Sequence, residues 1–221
     1  MSFANKDGLL IAKNMVAIIQ ENKAWLSEID GAAGDGDHGI NMSKGFTLAA
    51  ERLTPAMNMS DAFLLISQIL MGEIGGSMGP LYGSWFRGLS RASAGRTDLD
   101  AAALQMMFDS SLTDLRALTS AQIGDKTLLD VLVPSVEAFG EAIATGASED
   151  AALIAMKTAA QTGFDATRAM QARIGHASHL GERSIGHPDA GAGSCLLLLS
   201  AFADTAISLI NQGKKHATTV K

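Results

Sequence analysis

Apolar positions recur at helical spacing along almost the whole of this chain. Over residues 8–29, polar pairs at Lys13-Asn14, Gln20-Glu21 and Ser27-Glu28 return every seven residues, which marks one wet helix face. A second helix is predicted over 40–53, ending before Pro55. A third starts at Ser60-Asp61, good N-cap chemistry, and ends at Gly72, Gly75 and Gly76. A fourth begins near Pro80, where proline suits the first turn, and a fifth covers 98–118. A sixth starts at Thr127 and continues through Pro134, which should kink it. A seventh opens at Ser148-Glu149-Asp150, with acids at the positive end of the helix dipole, and runs to 173. The last covers 192–212. Val131-Leu132-Val133 is the only β-like run, and it lies inside a helical pattern. The expectation is an all-α chain of eight helices without a strand. No linker or internal repeat divides it, so residues 1–221 read as one domain with a core over 8–212. The polar tail from Gly213 is expected to fray.

Composition sharpens this picture. Hydrophobic residues make up 47% of the chain, whereas charged residues reach only 18%, below the usual quarter. That balance implies much buried helix surface, or a face covered by another chain. A net charge of −6 and the lack of any basic run argue against nucleic acid as a partner. The one cysteine, Cys195, rules out an internal disulfide and lies against Leu196-Leu197-Leu198-Leu199, so it reads as a core thiol rather than a reactive one. No signal peptide is legible at the N-terminus, and no apolar run approaches the roughly 20 residues of a membrane span. The expected location is a reducing cytoplasm with no membrane contact. There the Asn-x-Ser sites at Asn41 and Asn58 have no glycan role.

The densest chemistry is Asp30-Gly-Ala-Ala-Gly-Asp35-Gly36-Asp37-His38-Gly39: three carboxylates, an imidazole and four glycines in ten residues. Like charges this close raise each other's pKa unless a cation sits among them. A carboxylate-only oxygen set suits a hard divalent ion such as Mg²⁺, Ca²⁺ or Mn²⁺. The run Gly34 to Gly39 formally matches a dinucleotide fingerprint, but no strand precedes it, and its aspartates would repel a pyrophosphate that lacked a metal. An EF-hand also fails, because Ile40 and Phe46 occupy its sixth and twelfth positions. The predicted helix after His38-Gly39 would direct its free N–H groups at an anion held by the metal, with Asn41 as a further donor or a plain helix residue.

Three further segments stand out. The first is Gly75-Gly76-Ser77-Met78-Gly79-Pro80-Leu81-Tyr82-Gly83, which reads either as an anion-binding nest or as a tight helix–helix turn. The second, Gly124-Asp125-Lys126-Thr127, offers a helix cap at Asp125 or Thr127 and a cation for a phosphate or an acid. The third, His176 to Ser194, is polar and glycine-rich in an otherwise apolar chain, and loops this long are usually functional or disordered. Its histidines lack the paired spacing of a zinc site. Arg183 there is an anion clamp or a partner for Glu182 or Asp189. If the glycine-rich joints lie at one end of an antiparallel bundle, they form one site.

These four motifs, in this order, resemble the nucleotide-binding L subunit of dihydroxyacetone kinases. The resemblance spans residues 30 to 194. It implies a closed barrel of eight antiparallel helices with ADP or ATP at one end and two Mg²⁺ ions held by Asp30, Asp35 and Asp37. It also implies nucleotide contacts from His38, Gly39, Ile40 and Asn41, from Gly76, Ser77 and Met78, from Leu128, and from His176, Asp189, Ala190 and Gly191. In such systems a separate K subunit holds the ketose and the L subunit presents the γ-phosphate. A phosphohistidine protein of the phosphoenolpyruvate phosphotransferase system recharges the nucleotide in many of them, and ATP exchanges freely in others. The resemblance therefore implies a kinase subunit with no base or nucleophile of its own. A kinase acting on a different acceptor, or a nucleotide-loaded regulator, stays open, as does a homodimer. The family usually has Arg at 176, Tyr at 179 and Pro at 190, where this chain has His176, His179 and Ala190. An imidazole lacks the bidentate fork of a guanidinium, so weaker nucleotide retention is expected.

Overall fold

The computed structural model describes residues 2–219, with side chains described from Ser2 to Lys215. Among these residues nine α-helices carry the fold: α1 (Leu9–Glu21), α2 (Lys23–Gly31), α3 (His38–Arg52), α4 (Met59–Glu73), α5 (Met78–Ser93), α6 (Ala101–Arg116), α7 (Leu129–Ala144), α8 (Glu149–Ala166) and α9 (Ala190–Thr219). All eight expected helices are present, and the first is divided in two. The break falls at Asn22, which leaves helical geometry (φ −102°, ψ 15°) and whose side-chain amide joins its backbone N–H on the Ile18 carbonyl, at 2.8 Å. The seventh ends early, at Ala166 rather than 173, and a 3₁₀ turn follows (Thr167–Ala169). The last helix starts earlier than expected and continues through the polar tail to Thr219; Val220 and Lys221 lie outside the described residues.

The expectation of no strand is overturned by a small one. β1 (Ser2–Ala4) pairs antiparallel with β2 (Asp98–Asp100), with Phe3 opposite Leu99. Three residues per strand are too few for alternation to register in a sequence. The expected absence of a membrane-length helix is also corrected. α9 is long and apolar enough over Ala190–Lys215 to cross a bilayer, yet 61% of its apolar stretch is buried inside the protein. That is the profile of a core helix enclosed by its neighbours.

Each helix packs on the next in chain order, and α9 returns to α1, so the contacts close a ring. From α3 to α8 short connections make successive helices antiparallel neighbours, while α1 and α2 are joined by Asn22 alone and α8 reaches α9 through the long segment 167–189. Six phenylalanines link up across the interior, Phe46–Phe86–Phe63–Phe202–Phe108–Phe139, with ring centroids 5.2 to 6.5 Å apart. They come from α3, α5, α4, α9, α6 and α7 and tie most of the ring to one core. Cys195 is buried there, and desolvation pushes its thiol well above the ordinary range, in keeping with a core thiol. In α7, Pro134 leaves the Asp130 carbonyl without its helical donor, and Gly163 of α8 packs directly on that carbonyl.

Antiparallel order sorts the loops by end. Residues 53–58, 94–100 and 145–148 lie at one end, closed by the β1–β2 pair. Residues 32–37, 74–77, 117–128 and 167–189 lie at the other and surround an open cleft.

Candidate metal and anion site

The cleft holds about 670 Å³, the size of a small-molecule site. Its acidic wall is built by the turn between α2 and α3. Gly36 adopts φ +78°, a left-handed conformation that glycine reaches without strain. Asp30, at the end of α2, accepts a hydrogen bond from the His38 N–H at 3.1 Å, so one carboxylate joins the end of α2 to the start of α3. Asp35 accepts from the Asp37 N–H at 3.3 Å, and Asn41 donates to the Asp37 carboxylate at 2.7 Å.

One oxygen from each of Asp30, Asp35 and Asp37 lies within 4.8 Å of the other two. Oxygens on opposite sides of an octahedral Mg²⁺ stand roughly 4 Å apart, so the three residues present fit a hard cation. Their electrostatics fit too. Desolvation and then repulsion from its neighbours raise Asp30, and the same two causes raise Asp37. Asp35 is slightly desolvated, but hydrogen bonds from the backbone and side chain of Asp37 bring it below the ordinary value. Of this close pair Asp37 takes the proton more readily. A divalent ion removes the conflict.

The remaining predicted residues divide. His38, Asn41, Gly76, Ser77, Met78, Leu128, His176, Asp189, Ala190 and Gly191 all line the cleft. Gly39 and Ile40 do not. Gly39 is buried where α3 crosses α2, and a Cβ there would collide with the Lys23 carbonyl and lie 2.6 Å from Ser27 Oγ. Ile40 is 53% exposed on the outer side. His179 and Arg183 are exposed and lie outside the cleft lining. His176, with 75% of its side chain exposed, reaches over the cleft to place Nδ1 3.5 Å from Asp35 Oδ2.

His38 turns inward. It is 7% exposed, and its Nε2 meets Ser194 Oγ at 2.8 Å. Tyr82 Oη shares a hydrogen bond with the same Ser194 Oγ (2.6 Å) and donates to the Gly191 carbonyl (2.9 Å). Burial pushes His38 down to about 4, so the imidazole is neutral at pH 7. Its visible work is to fasten α3 to α9 and α5 beneath the acidic turn.

The other walls are helix starts. Ser77 precedes α5 with no side-chain cap, and Gly76 adopts φ +71° beside it. The first N–H groups of α5 therefore face the cleft without a protein acceptor among the described residues. At α9, Asp189 accepts from the Ala192 N–H at 2.6 Å. Desolvation raises Asp189 to about 7, and Asp130 and Asp30 add to the rise while the Ala192 N–H and Lys126 oppose it. Leu118, Leu128, Leu129 and Ile174 give the cleft an apolar side.

Sequence reasoning did not single out Asp130. Its carboxylate accepts from the Gly124 N–H at 2.5 Å and the Thr127 N–H at 2.7 Å and organises the turn, while the Thr127 hydroxyl accepts from the Leu129 N–H at 3.2 Å at the start of α7, as expected of one of Asp125 and Thr127. Lys126 was expected to meet a phosphate or an acid. Instead its ammonium donates to two backbone carbonyls, those of Met170 and Ser184. A buried acid inside an apolar helix was the available signal for Asp130; Lys126 offered none.

Residues 32–204 match the DAK2 domain family. The chain is 36% identical over 188 residues to the PEP-dependent dihydroxyacetone kinase, ADP-binding subunit DhaL, of Escherichia coli, covering 84% of this chain and 90% of the relative. It is 38% identical over 189 residues to the PTS-dependent dihydroxyacetone kinase, ADP-binding subunit DhaL, of Lactococcus lactis, covering 84% and 90%. Its fold is similar to the crystal structure of the dihydroxyacetone kinase from C. freundii in complex with AMP-PNP and Mg²⁺. The TM-score is 0.68 at 23% identity, over 93% of this chain and 35% of that one.

Proposed function

The chain belongs to the DAK2 domain family, and from that membership we propose that it is the nucleotide-binding subunit of a dihydroxyacetone-type kinase. In this reading it presents the γ-phosphate of ATP to a small ketose held on a separate K subunit. A phosphohistidine protein of the phosphotransferase system recharges the ADP, in line with the names of the relatives. The assembly works in the cytoplasm.

The observation that carries this reading is the meeting of two opposite features in one cleft. A three-carboxylate cluster that calls for a hard cation lies beside the start of α5, whose N–H groups call for an anion. A metal-bound polyphosphate satisfies both at once. Asp30, Asp35 and Asp37 would hold Mg²⁺, in the proposal two ions. When bound, Mg²⁺ neutralises charge on the phosphates as the phosphoryl group leaves. The chain's own contribution is positioning. The Gly76–Ser77 turn and the start of α5 give backbone N–H groups to phosphate oxygens, and Gly191 with Ala190 border the same space. Leu128 and its apolar neighbours suit the base. His38 and Asn41 act behind the carboxylates, His38 through Ser194 and Asn41 through Asp37. The chain needs no general base, because the acceptor hydroxyl lies on the partner.

His176 stands where the family usually has arginine and can offer a phosphate only one nitrogen at a time. We expect the ADP to be held less tightly than an arginine there would hold it. Native mass spectrometry of the purified chain, with and without a chelator, tests the reading. A mass increment of ADP with Mg²⁺ that is lost on chelation is expected, and an apo mass that gains nucleotide only with Mg-ATP favours a kinase in which ATP exchanges. A chain that gains none under any condition overturns the proposed function and leaves the fold untouched.

A further inference from the structure

Lys126 is the only residue other than glycine with a positive φ among the described residues, at +63°. A side chain in the left-handed region costs roughly 1 kcal/mol that glycine or asparagine would largely avoid. Lysine persists there although it is only 2% exposed. Strain of this kind persists where the surroundings over-determine it, and it points to a task for the side chain.

The geometry shows that task. The ammonium donates to the Met170 carbonyl at 3.0 Å and to the Ser184 carbonyl. These are the two feet of the excursion between α8 and α9 that carries Ile174 to the cleft wall and His176 to Asp35. The feet are also joined to each other: Gly186 N–H donates to the Arg168 carbonyl at 2.7 Å, and Ala172 N–H to Ser184 Oγ at 2.9 Å. What these bonds do not do is fix the loop to the helix ring. Lys126 does so from the turn that Asp130 holds, aided by the Arg173 N–H, which donates to the Asp125 carbonyl at 3.2 Å.

We propose that Lys126 is a positioning residue: it clasps both feet of the 170–184 loop to the head of α7, keeps Ile174 and His176 over the cleft, and thereby sets how long the nucleotide stays bound. The second half rests on the nucleotide-binding reading above; the clasp itself does not.

The test uses the full chain and two substitutions. Lys126→Gly keeps the left-handed turn, relieves its strain and removes the ammonium. Lys126→Met keeps the aliphatic stem and loses only the donors, which covers the case in which the glycine variant folds poorly. Two rates are read. Trypsin cleavage at Arg173 and Arg183, both on the loop, is followed by mass spectrometry. Release of a fluorescent ADP analogue is followed in Mg²⁺ by stopped flow. Mn²⁺ binding to the acidic cluster, followed by electron paramagnetic resonance, serves as a control that a purely local change should not move. Cleavage and release are both expected to speed up about tenfold, as for the loss of one charge-assisted hydrogen bond, with Mn²⁺ affinity unchanged. Unchanged cleavage overturns the clasp. Faster cleavage with unchanged release overturns the positioning role. If the unsubstituted chain binds no nucleotide, the proposed function and the residence half fail together, and the cleavage rates still decide the clasp.

Discussion

The two ends of this helical ring are built on opposite rules. At the closed end, three of the helices that start there carry a side-chain cap. Asn58 accepts from Asp61 N–H before α4, Asp100 from Ala103 N–H before α6, and Ser148 from Ala151 N–H before α8. A buried Asn5 (4% exposed) binds the same region together, donating to Ser60 Oγ and to the carbonyls of Ser93 and Arg96. At the cleft end, α3, α5 and α7 begin without a cap from the residue before them, although Asp189 caps α9 and Asp30 accepts from the first N–H of α3, and three carboxylates crowd one turn. One end satisfies its polar groups internally and supplies stability. The other leaves donors and charges to be completed by a ligand, a local cost that function requires.

The largest effect that would break this contrast lies in the acidic turn. Asp37→Asn should weaken Mn²⁺ or Mg-nucleotide binding by at least about 100-fold, close to 3 kcal/mol. The metal-free melting temperature should hold or rise slightly, because a repulsion is relieved. Calorimetric titration with differential scanning checks both, and unchanged nucleotide affinity would sink the metal assignment. Next is Asn5→Ala at the closed end. It strands several buried partners and should cost roughly 3 kcal/mol in urea unfolding, with Mg-nucleotide affinity of the folded chain unaltered.

A matched pair sharpens the contrast. Ser148→Ala removes a cap and should cost about 1 kcal/mol without touching binding. Ser77→Ala removes no cap, so melting should not move while nucleotide affinity drops severalfold, about 1 kcal/mol. Equal losses of stability in the two variants would erase the distinction between the ends.

The last effect concerns pH. Asp189 titrates near 7 when folded, above its ordinary 3.8. Between pH 4 and 7 the folded chain therefore keeps a proton that the unfolded chain has released. Stability falls as pH rises through that window and levels off above it. Asp30 and Asp37, both raised, add to the same slope. Asp189→Asn should flatten the metal-free melting profile across the window. A profile of unchanged slope would remove Asp189 as a source of that fall.

How much was legible depends on distance along the chain. The acidic turn is a ten-residue feature, and its composition alone indicates a cation. The closed end was readable at Ser148, where cap and acids are adjacent. By contrast, the bond from His38 to Ser194 spans 156 residues and that from Tyr82 to Ser194 spans 112. No local pattern joins them. Gly39 shows the same limit from the other side: inside a binding motif it reads as a ligand contact, yet a side chain there would meet the backbone and Ser27 side chain of α2.

Local chemistry thus determined which segments are helical, where the turns fall and which residues ask for a metal, because propensity, capping and like-charge repulsion act over a few residues. Which turns share an end, which N–H groups stay free, and that a strained Lys126 reaches the two feet of a distant loop were decided only when the ring closed. Those features depend on packing between residues far apart in the chain, and their cost and benefit exist only in the assembled fold.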